Sequence, residues 1–208
     1  NCFFPLAGRN FNQRSFFVFC AVLIFTSGFF VSQTVFAASP GEVIINEFSS
    51  ASNPEWVELR NTTASPIDLG GWKLTQLTTP QETPTEVDLL SLSGMIPAGG
   101  ILVFDVGTAK LNNTGDSIGL YDDASALMQR VTYGDVESSY PVTAGLETGP
   151  GENQSASFDG VSWSISSIPT KGWPNNYVFV DNGNESEEQN GTPENPFLTI
   201  QEGIDAVI

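Results

Sequence analysis

The sequence predicts an all-β protein whose main domain is a β-sandwich. Between residues 41 and 176, short apolar and β-branched runs are separated by turn residues, and no window keeps the 3.6-residue period of an amphipathic helix. The chain of 208 residues contains 20 Gly and 13 Pro, which suits a fold with many tight turns. Short strands at this spacing, with no helices between them, are typical of a sandwich.

Composition and charge exclude several classes of function. The chain has 7 Lys and Arg residues against 24 Asp and Glu residues, a net charge of −17, and no histidine. Ser-His-Asp catalysis, Cys-His catalysis and zinc sites built on histidine are therefore excluded. The small number of basic residues argues against a nucleic-acid partner, because nucleic-acid binders neutralise phosphates with Lys and Arg.

Residues 1–38 are predicted to be a secretory signal peptide. Arg9 and Arg14 form the basic start, residues 16–31 the apolar centre, and Val35-Phe36-Ala37 the cleavage site, with cleavage after Ala37 or Ala38. The alternative is an uncleaved membrane anchor, in which case the leader is the only membrane contact. The apolar run is shorter than the roughly 20 residues that span a bilayer, which favours cleavage.

The chain after the leader has a net charge of −19, since all 24 acidic residues and only five basic residues lie there. Both cysteines, Cys2 and Cys20, lie in the leader. An exported chain without cysteine folds without disulfides, which excludes the small scaffolds that depend on them. The remaining residues are enough to bury a hydrophobic core unaided.

Turn residues divide the region from 41 to 176 into a series of short strands. The predicted strands cover residues 42–49, 55–61, 67–69, 72–75, 101–104, 118–120, 131–133 and 161–163. The continuous apolar run at 101–104 is suited to a central strand. Residues 135–157 are rich in Gly, Pro, Ser and Glu and are predicted to form a long loop.

Six blocks of this region resemble the bacterial lamin tail domain. In order they are VIINEF at 43–48, EWVELRN at 55–61, LGGWKLT at 69–75, IPAGG at 96–100, TGDSIGLYD at 114–122 and VTYG at 131–134. The resemblance implies an immunoglobulin-like sandwich over residues 41–176, in a secreted or surface-attached protein where this domain binds or positions something rather than catalyses. The insertions or loops expected at residues 76–92 and 135–157 look longer and more acidic than the family pattern, so a binding surface there would be particular to this protein.

The sequence changes character at Tyr177, and residues 177–208 are predicted to be a linker and a capping element. The run VFVD at 178–181 is a predicted strand, residues 182–191 an acidic loop, and the last ten residues a helix. Ile200, Ile204, Val207 and Ile208 share one stripe of that helix, which Thr199 and Glu202 precede as a capping box.

This segment resembles the start of a pectate-lyase-like right-handed parallel β-helix, in which such a helix covers the end of the solenoid. Because a capping helix needs repeats to cap, and because residue 1 is Asn rather than Met, we expect the chain to be a fragment of a longer reading frame. The alternative is that the helix packs against the sandwich.

Acidic residues on the first two strands are the only candidates for catalysis. Glu47, Glu55 and Glu58 lie on strands that could pair, and two carboxylates roughly 5 to 9 Å apart would suit a glycosidase. The resemblance assigns them no catalytic role, and we interpret them as hydrogen-bonding residues of the domain. No catalytic residue is predicted.

Two binding features are predicted outside the strands. Trp56 and Trp72 are expected in the core, whereas Trp173, between Gly172 and Pro174, is the best candidate for an exposed binding residue. Oxygen-bearing side chains that could hold calcium follow in the acidic loop: Asp181, Asn182, Asn184 and Glu185. The alternative for that loop is a solvated acidic linker.

These observations favour a non-catalytic extracellular module that binds or positions a glycan, a component of the cell envelope or another protein. No cofactor is expected other than calcium. The alternative is the front end of an extracellular polysaccharide-acting enzyme, a lyase or glycosidase, whose active site lies on β-helix coils beyond Ile208.

Overall fold

The computed structural model describes residues 38–78, 85–136, 145–175, 177–183, 189–192 and 195–206, and within them the all-β sandwich is confirmed. These residues all belong to one compact unit, Ala37–Ile208. The predicted signal peptide, apart from Ala38, lies outside the described residues. The boundary predicted near residue 177 stays a prediction. No helix in the described part of the chain is long and apolar enough to cross a membrane.

Twelve strands and one helix are formed by the described residues. They are β1 Val43–Ser49, β2 Glu55–Asn61, β3 Ile67–Asp68, β4 Lys73–Leu77, β5 Glu86–Ser91, β6 Met95–Ile96, β7 Ile101–Gly107, β8 Gly115–Tyr121, β9 Leu127–Gly134, β10 Gly145–Leu146, β11 Ser155–Phe158, β12 Trp163–Ser166 and α1 Ile200–Ala206. One sheet has the order β12-β11-β1-β2-β7, the other β10-β9-β8-β4-β5, and β3 pairs with β6 in a short ribbon. All pairings are antiparallel except β9 with β10.

The core lies between the two five-stranded sheets. Alternate residues of β2 point into it, so Val57 and Leu59 are fully buried there. Strand β1 contributes Ile45 and Phe48, which are three residues apart rather than two because a bulge lies between Ile45 and Glu47. The bulge keeps both apolar side chains in the core and leaves Glu47 on the outer face of the sheet.

Three expectations about the strands are wrong. Strand β10 and most of β11 form inside residues 135–157, which the sequence predicts to be a long loop, and β11 pairs with β1. Residues 86–91 form β5 inside the stretch expected to be an insertion or loop. A bulge leaves Leu89 without a partner, so that Leu90 pairs with Leu74 and Asp88 with Thr75 of β4. Strand β7 is the last strand of its sheet rather than a central one. Its continuous apolar run has a different cause: Leu102 and Phe104 pack on the core, while Val103 faces outward next to Gly172.

The last predicted strand of the sandwich is displaced along the chain. It begins at Trp163, and Val161 lies in the preceding turn with 90% of its surface exposed. Asp159 holds this turn by accepting hydrogen bonds from the backbone N–H groups of Val161 and Ser162. The carboxylate satisfies N–H groups that the strand would otherwise use, so β12 starts after it.

The helix forms as predicted, but its apolar stripe is not buried. Glu202 accepts hydrogen bonds from the N–H and hydroxyl of Thr199, and the Thr199 hydroxyl in turn accepts one from the Glu202 N–H. Ile200 is 72% exposed and Ile204 45% exposed. The buried residue of α1 is Gly203, which lies against Val180 of the preceding segment. Val207 and Ile208 lie outside the described residues.

Candidate functional site

The outer face of the first sheet carries a row of polar residues that crosses four strands. Ser164, Ser157, Glu47 and Glu58 are successive cross-strand partners on β12, β11, β1 and β2. Residues 168–175, which follow β12 and are called the strap here, lie over the Glu47 and Glu58 end of this polar row. The strap removes both carboxylates from solvent, since Glu47 and Glu58 are each 0% exposed.

Glu47 holds the start of the strap. Its carboxylate accepts hydrogen bonds from the backbone N–H of Thr170 at 2.9 Å and from the Thr170 hydroxyl at 2.8 Å. It also accepts one from the Ser155 hydroxyl on β11. The Ser157 hydroxyl on the same strand bonds it as well. Donors from β11 and the strap therefore converge on one buried carboxylate of β1, which connects these three segments.

Glu58 holds the middle of the strap. Its two oxygens accept hydrogen bonds from the Gly172 N–H and from the Asn46 side-chain amide, each at 2.6 Å. Gly172 has a φ of +83°, which favours glycine at the point where the strap turns its N–H toward the carboxylate. Asn175 closes the far end by donating to the backbone oxygens of Asn46 and Phe158.

Burial changes the acidity of both carboxylates. Loss of solvent raises the pKa of Glu58 from 4.5 to about 7, although the hydrogen bonds from Asn46 and Gly172 oppose the change. The negative charge of Glu47 acts in the same direction, and the exposed Arg60 acts against it. Burial likewise raises the pKa of Glu47 above its usual value. The geometry is that of two anchors for the strap, which agrees with interpreting these acids as hydrogen-bonding residues.

Lys171 supports the strap from the solvent side. Its ammonium group lies 2.8 Å from the carboxylate of Asp105 and 5.5 Å from the ring centre of Trp56. Trp56 is buried as predicted, but it lies on the outer face of the sheet beneath Lys171 and not in the core cluster. Trp72 does belong to that cluster.

Two further buried acids fix the loops at one end of the sandwich. Glu55 accepts hydrogen bonds from the N–H groups of Lys110 and Leu111, both at 2.8 Å. Asp116 accepts from the N–H groups of Asn112 and Leu77 at 3.0 and 2.9 Å. Nothing in the sequence around Asp116 indicates a bond to Leu77, because the two residues are 39 positions apart along the chain.

Trp173 is placed at the surface of the strap. Its side chain is 44% exposed, and its ring meets that of Phe179 edge to face with 4.9 Å between ring centres. Contact with a second aromatic ring limits the motion of the indole and leaves part of it available to a ligand. Its binding role stays a prediction.

The predicted calcium ligands are only partly described. Asp181 and Asn182 are exposed, and Asp181 Oδ1 accepts a hydrogen bond from the Gly183 N–H at 2.9 Å. Asn184 and Glu185 lie outside the described residues. Within the described ranges, no three acidic, Cys or His side chains are close enough together to hold a metal ion. Calcium binding by this loop stays a prediction.

Comparison with known families supports part of the resemblance. The family model described as the Lamin Tail Domain, an immunoglobulin-like module, matches residues 37–135, which contain β1 to β9. No curated protein matches the chain. Glu47 and Glu58 lie inside the matched segment, whereas the strap and the serines of the polar row lie after it. The match therefore covers the anchors and not the segment that they hold.

Proposed function

With residues 37–135 matched to the lamin tail domain as the premise, we propose that this protein is a non-catalytic module that binds or positions a partner outside the cell or at its surface. The roles of the buried acids and of the exposed aromatic residues support the proposal. The buried acids Glu47, Glu55, Glu58 and Asp116 all accept hydrogen bonds that hold loops or the strap. Aromatic surface is instead exposed at Trp173 and Tyr177, beyond the last strand.

The leader sequence supports the extracellular location, since its basic start, apolar centre and small residues at 35 and 37 are those of a secretory signal. The acidic composition supports a glycan, an envelope component or a protein as partner, and opposes a nucleic acid. Exposed aromatic residues are enriched where proteins bind such partners.

Co-sedimentation with isolated bacterial cell envelopes tests the proposal. We expect the chain without its leader to sediment with the envelopes, and Trp173→Ala to lower the bound fraction, because an exposed indole contributes contact area at little entropic cost. Val161→Ala is the matched control, since Val161 is more exposed and lies in the turn between β11 and β12. Release of soluble sugar from the envelopes by the purified chain would contradict a non-catalytic role.

One observation favours the alternative, the front end of a polysaccharide-acting enzyme. Ile200 and Ile204 leave an apolar stripe of α1 exposed, as a helix that covers the end of a solenoid would before its coils are present. In the chain as given, the double variant Ile200→Glu, Ile204→Glu should change the free energy of unfolding by less than about 0.5 kcal/mol, because both side chains face solvent.

The same double variant in a longer chain separates the two candidates. If β-helix coils follow Ile208, the variant buries two charges against them and should lower the melting temperature of the longer protein. A reading frame without such coils contradicts the enzyme alternative. So does a longer protein whose melting temperature is unchanged by the two substitutions. Denaturant unfolding followed by circular dichroism measures both effects.

A further inference from the structure

A cleft opens beside the strap on the outer face of β11 and β12. Its volume is about 280 Å³. The floor is formed by serines of the two strands and the segment after them, and the opposite wall by Tyr177, Val178 and Ala206. Thr170 forms the inner end of the cleft, where the strap meets Glu47. The bonds that hold the strap therefore also fix one wall of the cleft in advance of any ligand.

The floor is rich in hydroxyl groups because of strand alternation. Ser155 is paired with Ser166, and Ser157 with Ser164, while Ala156 and Ile165 between them face the core. Period-two alternation thus places four serines on one outer face. Pairing of the two strands does not itself require serine at these positions, because residues with higher strand propensity would pair as well.

The serine hydroxyls divide into two groups. Ser155 and Ser157 donate to Glu47. Ser166 donates to the backbone oxygen of Ile168, so these three hydroxyls are used inside the fold. Ser164 and Ser167 are exposed, and their hydroxyls make no hydrogen bond to any part of the chain that the structure describes. Each can both donate to a ligand and accept from it.

The rest of the cleft selects against charged ligands. None of the described residues that line it is charged, and Glu47, whose carboxylate accepts from Thr170, is fully buried. The net charge of −17 further disfavours an anion. Tyr177 is 52% exposed at the rim and presents an aromatic ring to whatever enters.

We propose that this cleft binds one ring of a neutral saccharide. A sugar ring combines hydroxyls, which match Ser164 and Ser167, with an apolar C–H face, which matches the ring of Tyr177. The volume lies just below the usual range of small-molecule sites, about 300 to 1,000 Å³, and suits a single ring rather than a long chain. The inference rests on the proposed binding function and names its ligand class and its site.

Isothermal titration of the chain without its leader tests the site, with maltotetraose, cellotetraose and chitotetraose as probes. We expect at least one of the three to bind, and Tyr177→Ala to weaken that binding about tenfold, which corresponds to about 1.4 kcal/mol. Ser164→Val should weaken it as well, because valine suits a strand but removes the hydroxyl and narrows the cleft. Val161→Ala is the control, since Val161 is exposed and does not line the cleft.

The outcomes separate this inference from the proposed function. Binding weakened in Tyr177→Ala and Ser164→Val but kept in Val161→Ala supports the cleft. Saccharide binding that is unchanged in both Tyr177→Ala and Ser164→Val overturns the cleft and leaves a binding module with another site. If none of the three saccharides binds but the chain still sediments with the envelopes, only the saccharide inference is overturned. Cleavage of a probe overturns the saccharide inference and the proposed non-catalytic function together.

Discussion

Raising the pH from about 5.5 to about 8 is expected to lower the free energy of unfolding by about 2 kcal/mol. Burial holds the pKa of Glu58 at about 7 in the folded protein, against 4.5 for the ordinary side chain. In the unfolded chain this carboxyl is already ionised at pH 5.5, whereas the folded protein keeps the proton until the pH passes 7. The folded state therefore binds more protons over this interval, and its stability falls as the pH rises.

The composition of the chain makes this effect easy to isolate. Histidine is the side chain that ordinarily titrates between pH 5 and 8, and the chain has none. Burial also raises the pKa of Glu47 and of Asp116, so these two acids act in the same direction as Glu58. Lys171, Asp105 and Arg60 are the other charged groups near the strap, and all three are exposed.

Denaturant unfolding at a series of pH values measures the slope, and Glu58→Gln assigns it. Glutamine keeps the shape of the side chain but has no proton to lose, so this variant should show a markedly flatter profile. Asp123→Asn, an exposed substitution in the turn between β8 and β9, should leave the wild-type slope unchanged. A wild-type profile that is flat or rises with pH would show that Glu58 is not held protonated in the fold.

Glu47→Ala is expected to lower the free energy of unfolding by about 3 kcal/mol and to release the strap. The substitution removes the acceptor for the Thr170 N–H, the Thr170 hydroxyl and the Ser155 hydroxyl, all at buried residues. Hydroxyl groups can turn toward other acceptors, but the backbone N–H of Thr170 cannot. Its unsatisfied donor is the main source of the expected loss.

Hydrogen exchange across residues 168–175, together with denaturant unfolding, checks the expected release. Faster exchange should be concentrated in the strap, while the strands β8 and β9 of the other sheet keep their protection. Glu47→Gln should preserve most of the stability, because the amide oxygen still accepts from Thr170. Asp105→Asn breaks only an exposed ion pair with Lys171 and should cost less than about 1 kcal/mol. An unchanged strap in Glu47→Ala would rule out the carboxylate as its anchor.

Much of the sandwich follows from local sequence. Strand β2 coincides with the predicted 55–61, and β1 begins one residue inside the prediction, because alternation between core and solvent faces is a short-range pattern. The capping box at Thr199 and Glu202 was predicted for the same reason. Each of these features depends only on residues a few positions apart.

The outer face of the first sheet could not be predicted in this way. The spacing of Glu47 and Glu58 indicated paired strands, but not that Thr170 and Gly172, more than a hundred residues later, would donate to them. Trp56 looks like a core residue in the sequence, because the strap buries it as completely as the core would. Covering by a distant segment produces the same sequence pattern as burial between sheets.

The sequence by itself located β1 to β4, β7, β8, β9 and the helix cap, since these depend on local conformation and on period-two alternation. Only the tertiary structure decided the edge position of β7, the anchoring of the strap by two buried acids and the placing of serines from β11 and β12 beside Tyr177. Those features depend on which segments meet after folding. Glu47 and Glu58 are ordinary glutamates in the sequence, and only the folded chain shows that the strap covers their carboxylates.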